Sequence, residues 1–138
     1  MLQRFLTVAA LYLSLILAAG CSQVPAGVGT TSQAGSLTIC EISLSDAVAA
    51  WQNKSAVFID VRSAEEFSEG HIPGAKLLPL PLLESRFAEI PKDRPVILVC
   101  RSARRSAQAN LLLQQLGFQN TASMKEGMLR WSEAQEKD

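Results

Sequence analysis

Histidine is almost missing from this chain, which has one in 138 residues, and none of its three cysteines forms a Cys-x-x-Cys pair. No tetrahedral Cys/His metal site assembles from that inventory, and neither a metal nor an organic cofactor is expected. Excess charge is lacking too. Thirteen basic residues face thirteen acidic ones, so no global field draws a nucleic acid. The local cluster of Arg101, Arg104 and Arg105 suits a small anion better than a polymer. Nor is there a long apolar run. After Arg4, the uncharged stretch richest in Leu and Ala ends at Gly20, short of the ~20 residues a spanning helix usually needs.

What is present centres on Val96-Ile97-Leu98-Val99-Cys100-Arg101-Ser102-Ala103-Arg104-Arg105-Ser106. Four consecutive apolar residues, three of them β-branched, predict a strand buried on both faces. Ala109, Leu112, Leu113 and Leu116 then recur at helical spacing. A thiol between the carboxyl end of a strand and a helix N-terminus lies where open α/β sheets bind ligands. The loop's peptide N–H groups and the helix dipole favour an anion there, and the nearest one is the thiolate of Cys100 itself. A structural cysteine beside a solvated basic turn is the bland alternative. Placement and charge favour a reactive thiol.

Taken in order, residues 1–20 read as a secretory signal: a basic start, a short apolar centre and small residues at the end. Leu17-Ala18-Ala19-Gly20-Cys21 resembles the lipobox of bacterial lipoproteins, with Cys21 as the lipidated residue. The resemblance implies an exported, membrane-anchored lipoprotein, on the periplasmic side in a Gram-negative host. Ser22, rather than Asp, after the cysteine points to the outer membrane. Residues 21–36 are Gly-, Ser- and Thr-rich and uncharged, a tether roughly 20 Å across as a coil and about 50 Å when straight. The folded unit is expected over residues 37–138. Its strands fall at 37–41, 56–61, 75–79, 96–99 and 119–123. They alternate with helices after Ser43 and Ser63, along Leu83, Phe87 and Ile90, over residues 105–116, and over 127–135 with Trp131 inward. This is an α/β domain with a mostly parallel sheet covered on both faces.

Three stretches carry a family resemblance. Ile59-Asp60-Val61-Arg62-Ser63-x-x-Glu66-Phe67-x-x-Gly70-His71-Ile72-x-Gly74-Ala75 resembles the first signature of the rhodanese family. Cys100-Arg101-Ser102-Ala103-Arg104-Arg105-Ser106 resembles its active-site loop, and Gly117-Phe118 with Gly127-x-x-x-Trp131 its C-terminal signature. The resemblance implies an open five-stranded sheet and a catalytic Cys100 that carries a sulfane sulfur. A small anionic donor such as thiosulfate would load it, and cyanide or a thiol would unload it, in a ping-pong scheme. Arg101, Ser102, Ala103, Arg104 and Arg105 would form the substrate cradle, with Asp60 and Arg62 supporting it. Arg105 is expected to scaffold the loop through carbonyls or a carboxylate, and Ser102 to hydrogen-bond the sulfur or cap the loop. Cysteine-based phosphatases place their arginine one residue later, where this chain has Ser106. A different class of function on the same fold is a non-catalytic binding or persulfide-carrier module.

Two departures from the family stand out: Ala103 replaces a usual glycine, and Glu126-Gly127 replaces paired glycines. If position 103 needs a positive φ, alanine costs about 1–2 kcal/mol. His71 is read as part of the turn into the third strand rather than as a general base. Arg62 and Glu66, at i and i+4, are candidates for a local ion pair. The implied strand order puts Cys40 about 9–10 Å sideways from Cys100, beyond the ~7 Å reach of a disulfide.

Overall fold

The computed structural model describes residues 40–135. The expected signal over 1–20, the lipidation site Cys21 and the tether over 21–36 lie outside the described residues. Five strands form one wholly parallel sheet: β1 (Glu41–Ile42), β2 (Val57–Asp60), β3 (Lys76–Leu77), β4 (Val96–Val99) and β5 (Thr121–Met124). Their spatial order is β1-β5-β4-β2-β3. The helices α1 (Leu44–Gln52), α2 (Ala64–Glu69), α3 (Leu83–Arg86) and α4 (Arg104–Gln115) fill the connections, and α5 (Met128–Gln135) follows the last strand. Among the described residues no helix is long and apolar enough to cross a membrane.

β4 lies between β2 and β5 and is buried along its whole length. Its period-two alternation divides the core. Ile97 and Val99 face one layer with Ala47, Ala50 and Trp131 from α1 and α5. Val96, Leu98 and Cys100 face the other with Leu83, Ala109 and Leu113 from α3 and α4. Trp131 is buried, edge-on to Trp51 at 5.8 Å and to Phe58 at 6.0 Å between centroids. Such aromatic contacts favour this edge-to-face geometry.

The expected third helix is broken. Residues 80–89 form a short α3 between two 3-10 turns, Leu80–Leu82 and Phe87–Glu89. Pro79 and Pro81 before it and Pro91 after it leave room for little more, because proline donates no N–H and restricts the residue preceding it. β3 has two residues, Lys76 and Leu77, rather than the expected five. β5 runs to Met124, past the expected end at 123. No Cys40–Cys100 bridge forms. Cys100 is a free thiol, and β5 lies between β1 and β4.

Candidate active site

Cys100 follows the last residue of β4 and is 1% exposed. Residues 101–103 turn the chain into α4, whose first internal bond is Ala107 N–H to the Ala103 carbonyl at 2.9 Å. The N–H groups of Arg104, Arg105 and Ser106 precede that bond, and no acceptor among the described residues takes them. They are an anion's natural donors.

The turn requires a left-handed residue at its end, and Ala103 takes it with φ 70° and ψ −15°. The alanine where the family usually has glycine is therefore strained, by about 1–2 kcal/mol. We expect Ala103→Gly to raise stability by about 1 kcal/mol, after allowing for glycine's greater freedom in the unfolded chain. Denaturant unfolding reads this directly. An unchanged or lowered midpoint would show that the strain is relieved elsewhere.

Arg105 does not face an open anion site. Its guanidinium forks onto Glu66 of α2 with two bonds of 2.6 Å. Glu66 also closes a capping box, accepting the Ser63 N–H at 3.2 Å while Ser63 Oγ accepts the Glu66 N–H. One carboxylate thus ties the start of α2 to the start of α4. The Arg105 hydrogen bond, with the Ser63 N–H, holds the Glu66 carboxyl down at about 2, below its ordinary 4.5. The same contact raises Arg105. A depressed carboxylate stabilises the fold fully above its unfolded value and stops doing so as pH falls through its folded one. This contribution is therefore present above pH 4.5 and declines from there toward pH 2. Glu66→Gln is expected to melt earlier at neutral pH, with a shallower decline between pH 4.5 and pH 2. Parallel melting curves for both proteins across that window would contradict the assignment.

Arg62 does not pair with Glu66. Its guanidinium lies on Asp60, with Nε 3.0 Å from both carboxylate oxygens and the terminal nitrogen 2.7 Å from one. The same nitrogen donates to the Gly70 carbonyl at 2.7 Å. The i, i+4 rule fails here because α2 begins only at Ala64, so Arg62 is not on the helix. Both members of the pair are buried. They brace the end of β2, where Asp60 is in register with Val99, against the turn after α2. Arg101 and Arg104 are exposed, and among the described residues neither has a carboxylate partner.

The hydroxyl paired with the sulfur is not that of Ser102, which is exposed. It is Ser106, fully buried, with Oγ 3.5 Å from Cys100 Sγ. Sequence reasoning used Ser106 only to count loop length. A signal was available, since Ser106 shares the helical spacing of Ala109, Asn110 and Leu113 on the inner face of α4. His71 is exposed, stacks on Phe67 at 3.7 Å between centroids and bonds the Phe67 carbonyl through Nδ1 at 2.9 Å. It borders a cleft of about 490 Å³ beside the loop, with Arg62, Arg101, Met128, Leu129 and Trp131 also in its lining.

The far side of the loop is held by α5. Met128 N–H donates to the Cys100 carbonyl at 2.8 Å and Leu129 N–H to that of Arg101 at 3.1 Å. Gly127, with φ 62°, lets the two backbones approach this closely. Glu126, where the family usually has glycine, accepts the Leu44 N–H at 3.1 Å and caps α1.

Comparison with known proteins agrees with this arrangement. The rhodanese-like domain family matches residues 44–134. A sulfurtransferase of Allochromatium vinosum is 38% identical over 79 residues, 57% of this chain and 74% of that protein. The thiosulfate sulfurtransferase GlpE of Shewanella oneidensis is 31% identical over 93 residues, 67% of this chain and 92% of that one. The structure of a human single-domain sulfurtransferase superposes with a TM-score of 0.62 at 26% identity, covering 67% of this chain and 95% of its own. Of several other relatives the chain spans less than two thirds.

Proposed function

Because the chain belongs to the rhodanese-like domain family, we propose that it is a sulfurtransferase that takes sulfane sulfur from thiosulfate onto Cys100 and passes it to cyanide or a thiol. The observation that carries this is the loop itself. A free thiol follows the central strand, helix N–H groups that no acceptor among the described residues takes come next, and Arg105 holds the turn by locking onto Glu66. In the first half-reaction the Cys100 thiolate attacks the outer sulfur of thiosulfate. The new S–S bond forms as the old one breaks, and sulfite leaves with the electron pair. In the second, the acceptor nucleophile attacks the terminal sulfur of the persulfide and the Cys100 thiolate leaves. The N–H groups of the loop stabilise the negative charge on the outer sulfur. Arg101 and Arg104, exposed and without carboxylate partners among the described residues, attract the dianionic donor.

Mass spectrometry after thiosulfate treatment tests the reading. One added sulfur on Cys100, removed by cyanide with thiocyanate released, is expected. A persulfide that no acceptor removes would make the protein a carrier module, and no added sulfur would reject the donor.

The site is proposed to work at a membrane surface, tethered by lipid on Cys21 of an exported chain. Support comes from the resemblance of Leu17-Ala18-Ala19-Gly20-Cys21 to a lipobox. Wild-type protein should fractionate with membranes and carry acyl mass, and Cys21→Ser should lose both. Soluble, unacylated wild-type protein would overturn the anchor.

A further inference from the structure

Cys100 is 1% exposed, so water does little to solvate its sulfur from the sheet side, and the protein has to supply the partners there. Two buried hydroxyls and a backbone carbonyl gather beneath it. Ser106 Oγ is 3.5 Å from Cys100 Sγ, 3.0 Å from the Ala103 carbonyl and 2.8 Å from Ser123 Oγ. Ser106 is 0% and Ser123 1% exposed. A serine hydroxyl has one proton to give and two lone pairs to accept with, so Ser106 cannot donate to the carbonyl and to the sulfur together.

From this geometry we infer that Ser106 is a proton-sensitive switch for Cys100, backed by Ser123 and serving the sulfur-transfer reaction proposed above. When Cys100 is a thiol, its S–H donates to Ser106 Oγ and the Ser106 hydroxyl donates to the Ala103 carbonyl. Once the thiol has lost its proton to solvent, the Ser106 hydroxyl turns and donates to the thiolate. The turn orphans nothing, because the Ala103 carbonyl keeps the Ala107 N–H at 2.9 Å. Ser123, donating to Ser106 Oγ in both states, polarises that hydroxyl and keeps it in place. The switch serves both half-reactions, since Cys100 attacks as a thiolate in the first and departs as one in the second. Ser106 therefore touches the reacting atom, while Ser123 is a positioning residue acting through it.

Alkylation of Cys100 by iodoacetamide, followed across pH, tests the switch without any sulfur donor. Its outcome is therefore independent of whether thiosulfate is the substrate. Loss of the donor disfavours the thiolate, so Ser106→Ala is expected to move the midpoint of the alkylation profile up by about one pH unit. Alkylation at neutral pH should slow about tenfold, the size of one hydrogen bond to a charged group. Ser123→Ala should shift the midpoint the same way by less, and the double variant should match Ser106→Ala, because Ser123 works only through Ser106. The charged groups around the loop stay constant in all three proteins: Arg101, Arg104 and Arg105 with the loop and α4, Glu66 on α2, the Asp60–Arg62 pair at the end of β2, and Lys125 and Glu126 between β5 and α5. A folded Ser106→Ala protein with the wild-type profile, even one that melts earlier, overturns the inference. Should Ser106→Ala not fold, Ser123→Ala decides: a shifted midpoint supports the switch and an unshifted one overturns it.

Discussion

Cys100→Ser is expected to bring sulfur transfer down to the uncatalysed background while the fold stays intact. The hydroxyl of serine does not ionise near neutral pH, and no persulfide can form on oxygen. The cost to stability is small because Ser106 Oγ, 3.5 Å from the present sulfur, offers the new hydroxyl a partner. Without a partner, a buried hydroxyl would cost about 1–3 kcal/mol; with one, we expect about 1 kcal/mol. Steady-state thiocyanate formation and a melting curve on the same preparation measure both halves. Turnover surviving in the folded variant would move the chemistry away from this loop.

Gly127→Ala should do comparable damage from outside the loop. A Cβ at that position would overlap the Arg101 carbonyl and come within 2.6 Å of the Cys100 carbonyl oxygen, at a φ that L side chains rarely adopt. Either the loop retreats or α5 does, and both movements break the N–H bonds from Met128 and Leu129 to those carbonyls. Left-handed strain, overpacking and the weakened bonds together amount to roughly 3–5 kcal/mol. That is a large share of the about 5–15 kcal/mol that holds a typical domain together. In whatever fraction remains folded, kcat should fall about a hundredfold, the scale of a 1 Å misplacement at a reacting centre. Denaturant unfolding and kcat corrected for the folded fraction check the two effects. A Gly127→Ala protein of wild-type stability would show that the close approach carries no strain.

Both predictions depend on contacts that differ in how legible they were from sequence. The β4 strand, the helix after it and the inward Trp131 follow from periodicity over a few residues, and each is where that pattern puts it. Ser63 capping α2 is a three-residue relation, equally local. Arg105 reaching Glu66 spans 39 positions, and no local spacing rule covers it. The Arg62–Glu66 pairing was local and still wrong, because helical spacing was applied to a residue just outside the helix. Ser106 was overlooked for a different reason. A serine on an apolar face looks like a tolerated small residue until the strand beneath it is seen to bring Ser123 within 2.8 Å.

The pairing of β1 with β5 bears on how the chain assembles. Glu41 and Ile42 find their strand partners only at Ser123 and Met124. The Leu44 N–H waits for Glu126, 82 positions on, and Lys125 closes the same seam through the Ile42 carbonyl and the Glu41 carboxylate. Contacts between such distant segments form late, since the intervening loop must close first. A chain emerging amino end first therefore carries β1 with no strand beside it until nearly the whole domain has followed. If the chain is exported as proposed above, that delay would keep it threadable and leave the final strand to trigger closure on the far side.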